Sequence, residues 1–331
     1  MMKFSLWLCC GILVWIGSVS GQGTLVDDRF FSVSLDTVRW VDVHLPPGYD
    51  PADGARRYPV VYFLHGWGEG HDDYSSVVSA WETLIDSGAI DPSILVKPDG
   101  TVDPWEGSWY TNSERYGLFE DYIAADLVAY IDSAYHAIPE TGKRSVLGHS
   151  MGGYGAVKMG LKHPDLFRGM ASISGVLEFR SFGDTLFSWV LGETGGSGPF
   201  LPDSSIYTAI MFSGAAAFSP NMDHPPYYVD LPMDTAGSRI DSTFSKWLLH
   251  DPGYLAGHLP PDANLALYFD CGTAEALLSP TVTFAHTLDS LGVPHQFLPV
   301  EGGGHDTDLE KRFATALMFL DSIMTGKVSP P

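Results

Sequence analysis

The pentapeptide Gly148–Gly152, with the sequence GHSMG, constrains this chain more than any other feature. It follows the apolar run Ser145 to Leu147 and precedes a helix-like stretch from Gly153 to Lys162. A serine on a sharp turn between a strand and a helix needs glycine two residues before and after it, because side chains there would collide with neighbouring backbone. The pattern therefore predicts a turn that lifts the Ser150 hydroxyl clear of a sheet. An ordinary capping serine in a glycine-rich turn is the alternative.

Apolar strand-like runs alternate with helix-periodic stretches along most of the chain, as they do in βαβ units. Val60 to Leu64 is apolar throughout, which is typical of a central parallel strand. Phe119 to Ile131 and Leu309 to Leu320 carry apolar residues at helical spacing. The other predicted strands are an opening antiparallel pair, Phe31 to Leu35 and Val38 to Leu45, then Ile94 to Lys97, Ser145 to Leu147, Gly169 to Ile173, Leu265 to Phe269 and Gln296 to Val300. We predict an α/β fold with a mostly parallel central sheet and helices on both faces.

Residues 180–262 interrupt this alternation and are rich in glycine, proline and aromatic residues. A segment of this kind, inserted late in a sheet protein, is either a cap over a site or an irregular side layer. The length of 331 residues would allow about two domains. We instead predict a single domain over residues 21–331 that contains the insertion.

The first twenty residues resemble a secretory signal peptide. Lys3 supplies a positive charge, Phe4 to Ile16 is almost uninterrupted apolar sequence, and Ser18 and Ser20 are small residues suited to cleavage. The apolar run is shorter than the roughly 20 residues that a bilayer requires. We therefore expect residues 1–20 to be removed, and the protein to be secreted or periplasmic without stable membrane insertion. Cys271 would then be the one cysteine of the mature chain, which allows no internal disulfide.

The charge balance limits the possible partners. Eighteen Lys and Arg residues against 40 Asp and Glu give a net charge of −22, so a nucleic-acid backbone would be repelled. The consecutive residues His71, Asp72 and Asp73 cannot easily converge on one ion, and no other cluster has ligand spacing. No phosphate-binding glycine loop is present either. We predict no nucleic-acid partner, no metal and no cofactor.

A serine nucleophile needs a base, and the chain order expected on such a fold is serine, acid, histidine. His305 follows the predicted strand Gln296 to Val300 and a flexible run of three glycines, and it precedes the last amphipathic helix. A loop in that place can carry an imidazole over the nucleophile. His286 and His295 lie within or beside a helix and a strand, so we interpret them as surface or packing residues. His305 is the predicted base.

Two acidic residues follow the predicted strand Leu265 to Phe269 and compete for the role of third residue. Asp270 stands at the end of the strand, whereas Glu275 lies on the loop beyond it, from which a side chain can reach the histidine ring. We favour Glu275 and leave Asp270 as the alternative, with a loop-bracing hydrogen bond as its structural role. Asp306 would have to fold back on its neighbour His305 and ranks last.

An oxyanion hole normally combines the amide after the nucleophile with one from the loop after the third strand. These amides would be that of Met151 and one from His65 to Trp67, where His65 itself is interpreted as a brace for the loop. Trp109 and Tyr110 lie on a loop at the same end of the predicted sheet. They are candidates for stacking on an aryl or sugar group of a substrate, or for simple packing.

Six segments, in this order, resemble the motifs of the esterase family of α/β-hydrolases. They are Leu45 to Asp50, Tyr58 to Gly66, Lys97 to Gly100, Gly107 to Ser113, Gly148 to Gly153 and Gly303 to His305. The family includes feruloyl and acetyl xylan esterases, S-formylglutathione hydrolase, enterochelin esterases and mycolyltransferases. The resemblance implies an α/β-hydrolase fold with Ser150, Glu275 and His305 as the catalytic triad and the amides of Trp67 and Met151 as the oxyanion hole. Many members carry Asp where Glu275 stands, although the mycolyltransferase branch uses Glu.

These observations predict a secreted serine carboxylesterase that works through an acyl-enzyme. Its expected substrates are small-molecule or polysaccharide-linked esters, such as feruloyl or acetyl esters of carbohydrates. An acyltransferase of the mycolyltransferase type would need the same residues. A non-catalytic esterase-like binding module is a third hypothesis, against which the intact set Ser150, Glu275 and His305 argues. The sequence does not indicate an oligomeric state.

Overall fold

An eight-stranded sheet runs through the part of the chain that the computed structural model describes, residues 23–203 and 205–327. The predicted signal peptide, residues 1–20, lies outside these ranges. In the order β1-β2-β4-β3-β5-β6-β7-β8, β2 runs antiparallel to β1 and β4, and the other neighbours are parallel. The strands are β1 (Thr24–Ser32), β2 (Thr37–Leu45), β3 (Val60–Leu64), β4 (Ile94–Pro98), β5 (Arg144–His149), β6 (Gly169–Ile173), β7 (Ala266–Gly272) and β8 (His295–Val300).

Helices cover both faces of the sheet. Val60, Tyr62 and Leu64 of β3 belong to one apolar cluster and Val61 and Phe63 to the other, which explains why the whole strand is apolar. The described helices are α1 (Ser75–Asp86), α2 (the consecutive turns Phe119–Asp121, Tyr122–Leu127 and Val128–Ala134), α3 (Met151–Lys162), α4 (Phe179–Thr194), α5 (Ile206–Phe218), α6 (Asp241–Leu248), α7 (Pro252–Ala256), α8 (Leu278–Leu291) and α9 (Leu309–Thr325). The predicted α/β-hydrolase fold class is confirmed.

The first strand differs from its predicted position. Residues 33–36 form the turn of the β1–β2 hairpin, and the strand extends back to Thr24 instead. Phe31 pairs with Val38 across the hairpin, and Asp36 turns the chain with a φ of 48°. The early part of β1 alternates exposed and half-buried residues, so it lacked the apolar signal on which the prediction depended.

The segment 180–262 lies between β6 and β7 and contains most of α4 together with α5, α6 and α7. It is therefore more regular than its composition suggested. Its aromatic residues pack on one another: the rings of Phe218 and Trp247 lie 5.3 Å apart, and the Trp247 indole donates to Ser219 Oγ at 2.9 Å. Phe218 and Trp247 both belong to the apolar cluster that also contains Val60 of β3, so the segment packs onto the core of the sheet. Within the described ranges, no helix is both long and apolar enough to cross a membrane.

Candidate active site

Ser150 stands on a strained turn between β5 and α3. Its φ of 55° and ψ of −117° are unusual for a residue with a side chain, and its amide donates to the Ile173 carbonyl at 2.9 Å. A Cβ atom on Gly148 would lie 2.1 Å from the carbonyl oxygen of Gly152, and one on Gly152 would lie 1.9 Å from that of Leu64. Both glycines of the motif are therefore required by direct backbone contact.

Two backbone amides near this turn are available to a ligand. Met151 is the first residue of α3, so its amide has no acceptor within the helix. Trp67 lies in the turn after β3, and no group within the described residues accepts a hydrogen bond from its amide. His65 holds this loop, because its Nδ1 donates to the Gly66 carbonyl and its Nε2 accepts from the Gly100 amide, each at 2.8 Å. The loop is thus fixed beside the Ser150 turn.

Glu275 and His305 meet through a hydrogen bond of 2.7 Å from Nδ1 to Oε2. The other carboxylate oxygen of Glu275 accepts from Ser174 Oγ at 2.6 Å, from the Gly272 amide at 2.6 Å and from Cys271 Sγ at 3.1 Å. Burial opposes the charge of Glu275, but the hydrogen bonds from His305 and Ser174 outweigh it and lower the pKa to about 2. Glu275 is therefore a carboxylate at neutral pH and can fix the orientation of the imidazole.

Asp270, the alternative acid, does not contact the His305 ring. It is fully buried and forms an ion pair with Arg312, whose Nη2 and Nε atoms lie 2.7 and 3.2 Å from its carboxylate oxygens. Asp306 is also separate from the ring nitrogen that Glu275 binds, and its side chain is exposed. The geometry thus pairs His305 with Glu275.

Arg312 is a residue that the sequence analysis missed, and it joins the parts of this site. Besides Asp270, it donates to Ser174 Oγ at 2.6 Å and to the His305 carbonyl at 3.0 Å. With a weaker contact of 3.4 Å to the Thr307 carbonyl, all five guanidinium protons have acceptors. Arg312 therefore supports both the hydroxyl that binds Glu275 and the loop that carries His305. The sequence did hold a signal for Arg312, because it is a charged residue inside the apolar stripe of the last helix.

His149, next to Ser150, was also missed as a contact of the site. Its ring centroid lies 4.8 Å from that of His305, and its Nε2 is 3.3 Å from the His305 carbonyl oxygen. Its Nδ1 lies 2.7 Å from the hydroxyl of Tyr74, which in turn donates to Glu69. Burial, with the nearby His305 as a second cause, lowers the pKa of His149 to about 3, so its ring is neutral at physiological pH.

A cavity of about 510 Å³ opens at this point, a volume within the range of small-molecule sites. Ser150, Glu275 and His305 all line it, although none of the hydrogen bonds among the described residues joins Ser150 to His305. An apolar wall comes from the segment after β6, chiefly from α4 and α5. It consists of Val176, Phe182, Leu186, Trp189, Ile206, Tyr207 and Ile210.

The two predicted substrate contacts differ in position. Trp109 lines the cavity, with its indole held by a hydrogen bond to Ser213 Oγ at 3.0 Å. Tyr110 does not line it, which corrects the expectation for this residue. Its side chain is fully buried and its hydroxyl donates to the His65 carbonyl at 2.9 Å. Successive residues of this tight turn point in different directions, so only one of the pair faces the cavity.

Within residues 23–203 and 205–327, two groups of three side chains have ligand atoms close enough together to hold a metal ion. One consists of His149, His305 and Asp306, and the other of Asp27, Asp42 and His71. In the second group, Asp42 already forms an ion pair with the Lys97 ammonium, whose Nζ lies 3.5 Å from its carboxylate. His71 thus meets acidic residues of the β1–β2 hairpin rather than its sequence neighbours Asp72 and Asp73.

Solved structures with the same fold include a ferulic acid esterase, with a TM-score of 0.63 and 22% identity over 91% of this chain and 99% of that one. They also include an S-formylglutathione hydrolase from Staphylococcus aureus, with a TM-score of 0.62 and 17% identity over 91% of this chain and 99% of that one. The two TM-scores show that the fold is shared, and at identities this low the likeness extends to the fold alone.

Two relatives match different shares of the sequence. An esterase of Mycobacterium tuberculosis is 27% identical over 309 residues, which are 88% of this chain and 60% of that protein. The chain therefore spans about 60% of the length of this curated relative. A protein of Xylanibacter ruminicola named endo-1,4-beta-xylanase/feruloyl esterase is 30% identical over 162 residues, which are 46% of this chain and 22% of that protein.

A family model described as "Putative esterase" matches residues 32–319. The matched range contains the strained Ser150 turn, the Glu275–His305 pair and the segment that supplies the apolar wall. The chain therefore belongs to this esterase family of the α/β-hydrolases.

Proposed function

We propose that the protein is a serine carboxylesterase in which Ser150 is the nucleophile, His305 the general base and Glu275 the residue that orients the imidazole. The observation that carries the proposal is the hydrogen bond between Glu275 and His305 at the cavity that Ser150 lines. The ionised Glu275 favours the tautomer with a proton on Nδ1, which leaves Nε2 of His305 free to accept one.

The first half of the reaction forms an acyl-enzyme. Ser150 Oγ attacks the ester carbonyl carbon while its proton passes to Nε2 of His305. The carbonyl oxygen becomes an oxyanion, and the amides of Trp67 and Met151 are the proposed donors to it. The bond to the alcohol oxygen then breaks, and His305 returns the proton to the departing alcohol.

Water completes the reaction by the same route. His305 takes a proton from water as the oxygen of water attacks the acyl carbon, and the bond to Ser150 Oγ breaks as the proton returns to the serine. A carboxylic acid leaves and the enzyme is restored. His305 thus acts as the base at the start of each half-reaction and as the acid at its end.

The apolar wall supports esters with an apolar or aryl acyl group as substrates. Trp189 and Tyr207 stack with ring centroids 4.5 Å apart at this wall, which provides aromatic surface for a planar acyl group. The name of the Xylanibacter relative includes feruloyl esterase, and feruloyl and acetyl esters of carbohydrates are therefore the first natural substrates to test. The leader pattern of residues 1–20 supports action outside the cytoplasm.

The proposal is tested by hydrolysis of p-nitrophenyl esters from acetate to palmitate. We expect wild type to turn over part of the series and Ser150→Ala to lose at least about a thousandfold in kcat. Ser133→Ala removes an exposed hydroxyl on α2 and serves as the matched control, with unchanged rates expected. Equal inactivity of wild type and Ser150→Ala on every ester, including feruloyl and acetyl sugars, would favour the binding-module hypothesis.

A further inference from the structure

Three potential metal ligands meet at the rim of the cavity. One ligand atom from each of His149, His305 and Asp306 lies within 4.8 Å of the other two. His149 Nε2 is 3.6 Å from Asp306 Oδ1. Nitrogen and oxygen ligands of a tetrahedral zinc ion, at about 2.1 Å from the metal, stand about 3.4 Å apart. His149 Nε2 and Asp306 Oδ1 therefore already have nearly the separation that a shared zinc ion requires.

Both imidazoles are oriented as metal ligands usually are. His305 is held through Nδ1 by the Glu275 carboxylate, and His149 is held through Nδ1 by the Tyr74 hydroxyl, each at 2.7 Å. A metal-bound histidine typically has a hydrogen bond of this kind on the ring nitrogen that does not bind the ion. Nε2 is thus the nitrogen of His305 that is left for a ligand, and Nε2 of His149 has only the longer contact of 3.3 Å to the His305 carbonyl oxygen.

The surroundings of His149 Nε2 also favour a cation. In its contact of 3.3 Å with the His305 carbonyl oxygen, His149 Nε2 is the donor, because a carbonyl oxygen only accepts. The same carbonyl also accepts from Arg312 at 3.0 Å, so it does not depend on this proton. A cation bound at Nε2 would replace the proton, and the exposed Asp306 carboxylate, 3.6 Å away, would be its second ligand.

The charge around the site also favours binding of a divalent cation. Glu69, Glu275 and Asp306 line the cavity, and the described lining residues include no lysine or arginine. Asp306 is largely exposed and His305 partly so, which leaves a path for an ion from solvent. The net charge of −22 raises the local concentration of divalent cations further.

We propose that His149, His305 and Asp306 form an inhibitory site for Zn²⁺ or a similar borderline divalent cation, with water as a further ligand. Imidazole nitrogens and one carboxylate are a ligand set suited to such ions. Inhibition rests on the proposed function, because the ion would occupy Nε2 of His305, the atom that has to accept the proton of Ser150. Binding of the ion does not depend on that function.

Direct binding is the first arm of the test. Titration calorimetry with Zn²⁺ and the visible spectrum of added Co²⁺ are measured for the intact protein, for Asp306→Asn and for His149→Asn. Asparagine at 149 keeps a polar group near Nδ1 but removes Nε2. We expect each substitution to weaken binding by about tenfold or more. Asp308→Asn removes a charge from the same exposed loop and should bind Zn²⁺ like wild type.

Inhibition is the second arm. Zn²⁺ should suppress hydrolysis of p-nitrophenyl butyrate by wild type over the concentration range of binding, a chelator should reverse it, and Asp306→Asn should resist it. Equal Zn²⁺ affinity in wild type and Asp306→Asn, or no binding at millimolar Zn²⁺, would overturn the proposed site. A protein that binds Zn²⁺ as expected but hydrolyses no ester would refute the proposed function and leave the site standing.

Discussion

Backbone contact around Ser150 dictates which residues the turn accepts. Gly152→Ala would put a methyl group 1.9 Å from the Leu64 carbonyl oxygen, so strand β3 or helix α3 would have to move. We expect a loss of about 3 kcal/mol in the free energy of unfolding and a large fall in kcat. Gly142→Ala is the control, since a Cβ there meets no atom within 4 Å. Denaturant unfolding of both variants checks this, and a fully stable Gly152→Ala would contradict it.

Glu275 and Asp270 should respond differently to loss of charge. Glu275→Gln should lower kcat by up to about 10⁴-fold, because the amide no longer favours the productive tautomer of His305. Asp270→Asn should instead cost about 3 kcal/mol of stability, because it leaves the buried Arg312 without its ionic partner. Kinetics and thermal melting of the two variants separate these roles. The reverse pattern would make Asp270 the third member of the triad.

The sequence predicts Ser150 and His305 because each stands in a local pattern, a strand–turn–helix and a glycine-rich loop. It could not decide between Glu275 and Asp270 with the same force, since both follow the predicted strand Leu265 to Phe269, although Asp270 lies within β7 in the structure. The difference depends on Arg312, which is 42 positions away from Asp270 and reaches it only in the folded chain. Tyr110 was misplaced for a related reason: the direction of a side chain on a tight turn is set by backbone angles that neighbouring residue types do not reveal.

Among the elements, the central strands were the most predictable, because burial on both faces makes every residue of β3 apolar and leaves β6 without a charged side chain. The helices between β6 and β7 were less predictable. Helix α5 is apolar on nearly all sides, since it packs against α4 and under the loop that carries Trp109, and therefore lacks a one-sided stripe. Tertiary contacts rather than periodicity define this segment.

The apolar wall should limit the size of the acyl group that the cavity accepts. Ile210, which is half-buried on α5, lines the cavity, so Ile210→Trp should narrow it. We expect kcat/KM for p-nitrophenyl hexanoate to fall about tenfold or more relative to the acetate. Met222→Trp, an exposed position in the same segment but away from the cavity, is the control and should leave the ratio unchanged. An unchanged ratio in Ile210→Trp would show that acyl groups bind elsewhere.

For the molecule as a whole, buried histidines should make stability depend on pH. Burial is the largest cause that lowers the pKa values of His44, His149 and His250, each from 6.5 to about 3. Below pH 6.5 the unfolded chain therefore binds protons that the folded chain does not. The free energy of unfolding should fall as the pH decreases from 6.5 to 5, by up to about 1.4 kcal/mol per pH unit for each histidine.

One variant removes the contribution of a single buried histidine to this pH dependence. His250→Phe keeps an aromatic ring against Phe218, whose centroid lies 5.1 Å from that of His250, but it cannot titrate. Its unfolding free energy, measured by denaturant titration between pH 6.5 and 5, should decrease less steeply with falling pH than that of wild type. The difference in slope should correspond to about one proton bound on unfolding. A slope equal to that of wild type would mean that His250 is protonated in the folded protein.

Formation of an acyl-enzyme at Ser150 is the central claim, and quenched-flow mass spectrometry tests it most directly. Wild type and Glu275→Gln are mixed with an excess of p-nitrophenyl ester, stopped in acid within the first turnover and digested. We predict an acyl group on the peptide that contains Ser150, formed together with one equivalent of p-nitrophenol and more slowly in Glu275→Gln. Rapid hydrolysis with no acyl group on that peptide, or with the acyl group on another residue, would contradict the account.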